Sequence, residues 1–174
     1  MTANGWQTSD YVYIRNAMDW ANHRSLMESD QYMQFRDATD GLSNSIMQYE
    51  SAGRASWWVR NTRMSMDWDA CIGGSATIDA MKSWSGHYPA GWFYPADFQF
   101  DPSNPSGACP TISWFVGSQV LNVTNGFVAP YSFHEGGIQL GMGDGSVRFV
   151  SENTSLEVLS ALSSCNGGEV VGEF

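Results

Sequence analysis

His134 and Asp144 are the residue types most suited to chemistry in the stretch FHEGGIQLGMGDGSVRFV, and nine residues separate them. An imidazole and a carboxylate can work together as a general base and its orienting group, or can share a metal ion. Either role requires the two side chains to lie within a few ångströms of each other. The residues between them decide whether they do.

The pair Asp144-Gly145 is typical of the two-residue type I′ turn that joins antiparallel strands. Such a turn predicts the cross-strand pairs Gly143–Ser146, Met142–Val147, Gly141–Arg148 and Leu140–Phe149. In this register every large apolar residue faces another, and all four lie on one face of the hairpin. The stretch therefore predicts a β-hairpin.

The hairpin keeps the imidazole and the carboxylate apart. A strand rises about 3.3 Å per residue, so a straight run from 137 to 143 places His134 and Asp144 about 20 Å or more from each other. They meet only if the chain folds back at Gly136-Gly137. We expect a structural motif, with the His134 side chain hydrogen-bonded to a nearby loop or backbone group. Its residues are His134, Gly136, Gly137, Asp144, Gly145 and Arg148.

Other catalytic arrangements are missing from the sequence. The remaining candidate bases are His23 and His87, and neither Gly-x-Ser-x-Gly nor His-Glu-x-x-His occurs. The acidic pairs Asp67/Asp69 and Asp97/Asp101 are more simply explained as solvated loop residues than as paired catalytic carboxylates. We therefore expect no enzyme and assign no catalytic residue.

Composition narrows the class of protein. The 174 residues are 43% hydrophobic and only 15% charged, with 18 glycines, 8 tryptophans, 7 tyrosines and 9 phenylalanines, which favours a loop-rich, β-leaning domain. The net charge of −10 argues against nucleic acid, because phosphates are bound by clustered Lys and Arg. No apolar run approaches the roughly 20 residues that span a bilayer, and Met1 begins no signal peptide.

The pattern of apolar and turn residues along the chain predicts one α+β domain over 1–174. It is expected to be mainly antiparallel sheet with long loops and a short C-terminal helix. Residues 10–26 have helical spacing, although Tyr-Val-Tyr-Ile is also typical of a strand. Residues 33–51 predict strand, turn and strand. Residues 53–99 predict long loops and short strands, and residues 111–123 predict one or two strands, after a loop at 101–110.

The C-terminal region carries clear helix signals. Thr154 and Glu157 form a capping box, and leucines follow at helical spacing. The helix is expected to end near Asn166-Gly167, which tolerate a left-handed cap. Residues 169–174 then predict a final short strand.

Cysteine and tryptophan leave alternatives open. Cys71, Cys109 and Cys165 fit no zinc motif, so we expect either one disulfide, most simply Cys71–Cys109 in the loop-rich middle, or three free thiols. Tryptophans can fill a core or stack on sugars. Core filling is favoured, but Trp58 and Trp92 are candidates for glycan binding, with at most one of the adjacent Trp57 and Trp58 exposed.

Three marks along the chain resemble one known family. His134 followed after nine residues by Asp144-Gly145 resembles the H-x9-DG signature of prepilin-like proteins that are abundant in planctomycete bacteria. GGEVVGEF (167–174) is similar to the usual ending of these proteins, and DATDGLSNSIM (37–47) is similar to their Asp-Gly-Thr-Ser-Asn-Thr segment. The marks occur in the family's order.

The resemblance implies a pilin-like or pseudopilin-like head in an extracytoplasmic filament or surface assembly, with other pilin-like subunits or itself as partners. Members begin with an apolar helix, processed by a prepilin peptidase, that anchors them in the membrane. Residues 1–174 resemble only the C-terminal half, so we expect either a truncated chain or a soluble relative. An extracellular module that binds a glycan or a surface through exposed aromatics is the alternative function.

The resemblance also makes calcium the one plausible cofactor. Pseudopilin heads often hold this ion in a loop, and hard cations prefer carboxylate and carbonyl oxygens. No Asp-x-Asp-x-Asp-Gly spacing occurs. The candidate ligands, all expected in loops, are Asp67, Asp69, Asp97 and Asp101.

Overall fold

A computed structural model of the chain describes residues 9–18, 23–28, 31–53, 56–64, 90–91, 96–99, 111–114, 118–126, 129–169 and 171–172. The strands are β1 (Tyr11–Ile14), β2 (Ile46–Glu50), β3 (Trp58–Val59), β4 (Thr62–Arg63), β5 (Ala90–Gly91), β6 (Ala96–Gln99), β7 (Thr111–Trp114), β8 (Gly137–Met142) and β9 (Val147–Ser151). Within the described ranges, two 3-10 helices (Phe35–Asp37 and Leu42–Asn44) precede β2, and one α-helix, α1 (Leu156–Ser163), follows β9.

Five of the strands form one sheet in the order β5-β1-β2-β8-β9, and only the β1–β5 pair is parallel. The hairpins β3–β4 and β6–β7 form two small separate sheets. The predicted α+β class, mainly antiparallel with a short C-terminal helix, is confirmed, as are the short strands in the middle of the chain. Among the described residues no helix is long and apolar enough to cross a membrane.

One face of the five-stranded sheet builds the core. In β1, β8 and β9 alternate residues point to this face because the side-chain period of a strand is two, and an irregularity between Ile46 and Gln48 shifts the pattern in β2. Leu159 and Leu162 of α1 are buried against the sheet. Each fully buried aliphatic side chain of this kind stabilises the fold by roughly 1.5–3 kcal/mol. The buried sheet residues are Val12, Ile14, Ile46, Tyr49, Ile138, Leu140, Met142 and Val150.

The β8–β9 hairpin is present, but the predicted register was wrong by one residue. Leu140 lies opposite Arg148, and Gln139 lies opposite Phe149. A shift of one residue exchanges the faces, so the half-buried Arg148 shares the core side with Leu140. Val147 and Phe149 instead point to the opposite face, where they are 66% and 48% exposed. The register differs because the turn contains three residues, 143–145, instead of the predicted two.

Two predictions for the N-terminal half also need correction. No described residue between 10 and 26 is helical: Tyr11–Ile14 is a strand, because its aromatic and β-branched residues pair with β2. Within 33–51 the second predicted strand is confirmed as β2. The first was wrong, since 35–37 form a 3-10 helix in which Gln34 and Asp37 hydrogen-bond reciprocally.

The C-terminal helix was predicted correctly in place but not in its ends. Ser155, not Thr154, is the N-cap, and its hydroxyl accepts a hydrogen bond from Val158 N at 3.3 Å. The helix ends at Ser163, before Asn166-Gly167, because Ser164 is extended and the next residue donates its N–H to the Arg24 carbonyl. The residues described within 169–172 form no strand.

Candidate functional site

The turn of the β8–β9 hairpin contains three residues. Gly145 N donates to Met142 O at 3.0 Å, and Met142 N donates to Ser146 O at 2.9 Å. Gly145 has φ +86°, which the predicted turn also requires, whereas Asp144 has no positive φ. A type I′ turn needs positive φ at both central residues, so the predicted turn type was wrong. The observed form is the three-residue loop that places a bulge at a left-handed glycine.

Asp144 acts within this turn. Its carboxylate accepts hydrogen bonds from Ser146 Oγ at 2.6 Å and from Ser146 N at 2.9 Å. These bonds, the hydroxyl first, hold the pKa of Asp144 below its ordinary value. The side chain is exposed and folds back on its own turn, which is the usual role of an aspartate at this position.

The turn also docks on the segment before β2. Gly143 N donates to Ser45 O at 2.9 Å, and Asp144 N donates to Leu42 O at 3.2 Å. A Cβ on Gly143 would lie 2.6 Å from Leu26 Cδ1 and 3.1 Å from Leu42 O, so a larger residue here would force these neighbours to shift. The marks at 37–47 and at 134–145 are therefore in direct contact.

The third mark joins the same place through Asp40. Its carboxylate accepts from Gly167 N at 2.8 Å and from Gly168 N at 2.9 Å. Its backbone N donates to Cys165 O at 3.2 Å. We call the assembly of these three segments the motif junction. It comprises Asp40, Leu42, Ser45, Gly143, Asp144, Gly167 and Gly168.

His134 lies at the opposite end of β8 from the junction, next to the buried carboxylate of Glu50. The distance from His134 Nε2 to Glu50 Oε1 is 3.7 Å, and Gln139 N donates to Glu50 Oε2 at 3.2 Å. His134 N donates to Ser132 Oγ at 2.9 Å. The imidazole thus faces a side-chain carboxylate on the neighbouring strand. The prediction that the His134 side chain bonds a loop or backbone group was wrong. The bond to the Ser132 hydroxyl is made by the main-chain N–H of His134.

A buried asparagine ties the loops at this end together. Asn122, with φ +59°, donates from Nδ2 to Glu152 Oε2 at 3.0 Å, and its Oδ1 accepts from Ser132 N at 2.9 Å. Glu152 N in turn donates to Gly136 O at 2.9 Å. A buried amide with both ends bonded fixes the loops that it joins.

Gly137 serves close packing at the start of β8. A Cβ at this position would overlap the carbonyl oxygen of Val150 and lie 2.7 Å from Phe149 Cζ. The Phe149 ring therefore lies over the glycine. Both glycines after His134 belong to the scaffold, since Gly136 has φ +77° and its carbonyl accepts from Glu152 N, directly after β9.

The structure keeps the two ends of the motif apart, as predicted. His134 and Asp144 flank β8 and share no partner. In the part of the chain that the structure describes, no group of three or more His, Cys, Asp or Glu could hold a metal ion. The hydrogen bonds of this arrangement satisfy backbone and carboxylate groups and join segments that are far apart in the chain.

Of the proposed calcium ligands, Asp97 lies on β6 opposite Ser113, not in a loop as expected. The other candidate residues fall outside the described residues, so their roles stay predictions. These are Asp67, Asp69, Asp101, Cys71, Cys109 and Trp92.

The described tryptophans divide as expected. Trp57 is buried and donates from Nε1 to Thr124 Oγ1 at 3.0 Å. Trp58 is half-buried and packs edge-on against Phe133, with ring centroids 4.8 Å apart.

Cys165 is a free, buried thiol in the described structure. Burial, followed by the nearby Asp40 carboxylate, raises its pKa to about 11. The residue therefore remains a protonated, poorly nucleophilic thiol at neutral pH.

A family model described as "Protein of unknown function (DUF1559)" matches residues 2–157. The chain belongs to the DUF1559 family. The matched range contains two of the three marks, the segment at 37–47 and the motif from His134 to Arg148, and it stops inside α1. No curated protein and no solved structure matches the chain.

Sequence reasoning missed the partners of the motif. Asp40 and Glu50 lie within 33–51, where the sequence predicted only strand, turn and strand. No local signal marked Glu50 as the residue facing His134, because the two lie 84 positions apart in the chain. For Asn122 no local signal exists, because its bonds join residues 10 and 30 positions away.

Proposed function

We propose that this DUF1559 chain is the head of a pilin-like or pseudopilin-like subunit in an extracytoplasmic filament or surface assembly. It works through contacts with other pilin-like subunits or with further copies of itself, and it carries out no reaction. The N-terminal helix typical of such subunits provides their membrane anchor.

The observation that carries this proposal is the motif junction. The marks that resemble the prepilin-like family hold one another: Asp40 binds the backbone at 167–168, and the Asp144 turn binds the backbone at 42–45. Residues that share a sequence signature because they build a scaffold fit a protein whose function lies in its shape. A catalytic signature would instead bring reactive side chains to one point.

Exposed apolar side chains support a function in protein contacts. Tyr32 is fully exposed, and Phe35, on the adjacent 3-10 helix, is 80% exposed. Large apolar residues grouped on a soluble surface mark interaction sites more often than isolated ones do. The net charge of −10 makes an anionic polymer an unfavourable partner.

Antibodies raised against residues 1–174 test the proposal on intact cells of the source organism. We expect immunogold labelling at the cell surface or along filaments, and loss of the antigen when intact cells are treated with protease. A cytoplasmic enzyme detected in parallel is the control and should be protected. Antigen that is equally protected would contradict the extracytoplasmic assignment.

One observation favours the alternative, a glycan-binding module. Phe133 is 54% exposed and packs against Trp58, beside the exposed turn at Arg60-Asn61. Aromatic faces next to polar groups are a common way to bind sugars. A glycan array followed by titration of Phe133→Ala, with Phe35→Ala as the matched control, tests this function. Binding lost only in Phe133→Ala would support it, and an empty array would reject it.

A further inference from the structure

Strand β9 ends the five-stranded sheet, and no described strand pairs with its outer side. In an antiparallel pair, successive residues alternate between facing the partner strand and facing away. Met142 N bonds Ser146 O, and Glu152 N bonds Gly136 O, so the even-numbered residues of β9 face β8. The N–H and C=O groups of Val147, Phe149 and Ser151 therefore face outward.

This edge is accessible. The side chains of Val147 and Phe149 are the exposed apolar residues of the strand, and Ser151 is exposed as well. The Phe149 ring leans over Gly137, away from the free edge, so it does not cover the backbone. Natural sheets guard exposed edges with Pro, Lys, inserted residues or inward-pointing charges. From 147 to 151 there is neither Pro nor Lys, and the inward-pointing charge of Arg148, on the core side, is the one guard of this kind.

We propose that β9 pairs in antiparallel fashion with β9 of a second copy of this chain, about a two-fold axis at Phe149. This register places Phe149 opposite Phe149 and Val147 opposite Ser151. The backbone N–H and C=O groups of Val147, Phe149 and Ser151 in each copy then hydrogen-bond with those of the same three residues in the other copy. The Ser151 carbonyl already accepts from Thr154 N at 3.0 Å and has a second lone pair for the contact.

Neighbouring registers satisfy fewer groups. A shift of two residues in one direction places Arg148 opposite Arg148, which is a like-charge pair. A shift in the other direction leaves Val147 opposite Asn153, beyond the end of the strand. In the register centred on Phe149, Glu152 lies opposite Ser146 and diagonal to Arg148 of the second copy, so the flanking acids do not face one another.

The contact is isologous, because the same patch serves both copies. It deepens the proposed function and rests on it, since it names the surface that pairs two subunits of the assembly. Because an isologous pair closes on itself, a filament also needs a heterologous contact elsewhere on the subunit. The pairing joins two five-stranded sheets into one of ten strands.

Cysteine cross-linking of the full 174-residue chain reads the register directly. In Phe149→Cys the two Cα atoms lie about 5.5 Å apart, within the range of roughly 4.4–6.8 Å that a disulfide spans. In Val147→Cys the two cysteines are four residues out of register, about 13 Å apart. Under mild oxidation we expect covalent dimer from Phe149→Cys, and none beyond the wild-type background from Val147→Cys. Equal yields from the two variants, or none from Phe149→Cys, would overturn the proposal.

Sedimentation equilibrium of Val147→Pro gives a second test that keeps Phe149. The Val147 N–H takes no part in the β8–β9 ladder, so the fold should survive, as a thermal melt will check. We expect the dimer dissociation constant to rise about tenfold or more, because each copy loses one hydrogen bond and gains a clash. Val147→Thr retains the N–H and should behave as wild type.

The outcomes separate the two proposals. If wild type self-associates and Val147→Pro does so equally, the β9 contact is wrong while assembly by another surface stands. A wild-type chain that stays monomeric at all concentrations also overturns the β9 contact. The surface labelling described above then decides the proposed function independently.

Discussion

The two hairpins β8–β9 and β3–β4 contradict their local sequences in opposite ways. Asp144-Gly145 has the composition of a type I′ turn, yet it lies in a three-residue turn with one positive φ. Arg60-Asn61 contains no glycine, yet it forms a two-residue turn in which both residues have positive φ, +43° and +63°. The type I′ geometry therefore occurs where the sequence signal for it is weaker.

Hydrogen bonds from outside each turn explain why each turn differs from the geometry that its local sequence favours. In β8–β9, Ser45 and Leu42 accept the N–H groups of Gly143 and Asp144, which holds both residues in the turn. In β3–β4, the hydroxyl of the buried Tyr131 accepts from Asn61 N at 3.1 Å and donates to Asn61 Oδ1 at 3.3 Å. Arg60 N donates to Val123 O at 3.0 Å. Distant partners that bond the turn backbone outweigh a turn propensity of roughly 1 kcal/mol.

The largest effect is expected from Gly145→Val, which breaks the glycine-dependent turn. A β-branched residue at φ +86° is strained, so we expect a loss of about 1–3 kcal/mol of unfolding free energy in urea melts. Gly145→Asn is the matched control and should lose much less, because asparagine tolerates left-handed φ. Equal losses in the two variants would show that backbone strain is not the cause.

Tyr131→Phe should have the next largest effect, because it removes the external partner of the turn without glycine. The change leaves Asn61 N–H without its acceptor beside a buried ring, and we expect a loss of about 1–2 kcal/mol. Tyr32→Phe alters an exposed tyrosine and should change stability by less than about 0.5 kcal/mol. If both substitutions are silent, the tyrosine hydroxyl does not hold the turn.

Arg60→Gly should stabilise the protein, because it places glycine in the β3–β4 turn, where positive φ occurs without one. It relieves the positive φ of Arg60, at the cost of a more flexible unfolded chain and of the arginine side-chain contacts. We expect a net gain of up to about 1 kcal/mol in the same melts. Arg63→Gly, on the adjacent strand, should instead lose about 0.5–1 kcal/mol. A loss in both variants would mean that Arg60 is not strained.

The smallest effect is expected from Asp144→Asn, because an amide oxygen can still accept from Ser146. We expect a change below about 0.5 kcal/mol, and the same melting temperature shift on adding calcium as in wild type. If Asp144→Asn abolishes a calcium-dependent rise in melting temperature, the structural assignment of this turn is wrong.

Titration of Asp144 by NMR gives a measurement at the same site. Because the folded-state pKa is lowered, its contribution to stability is present above the ordinary carboxyl pKa and is lost as the pH falls through the folded value. Ser146→Ala should return the pKa toward its ordinary value. A pKa unchanged by Ser146→Ala would show that the hydroxyl and its turn do not lower it.

Where local chemistry and tertiary contacts agreed, the sequence predicted the fold well. The second strand of 33–51 and the helix after residue 154 were correct because apolar periodicity decides which face is buried. The register of β8–β9 failed because it depends on turn length, and turn length depends on Leu42 and Ser45, about 100 residues earlier. The prediction for residues 10–26 failed because Tyr11–Ile14 pairs with β2, 35–39 residues later in the chain, and local spacing carries no information about that partner.

The sequence by itself determined the β-leaning class, the position of the hairpin and the separation of His134 from Asp144, because these follow from side-chain period and chain rise. Only the tertiary structure decided that the three marks meet at Asp40 and the Asp144 turn, that His134 faces Glu50, and that Phe149 lies on the open side of an edge strand. Each depends on hydrogen bonds or packing between segments far apart in the chain, and local propensity carries no information about such partners.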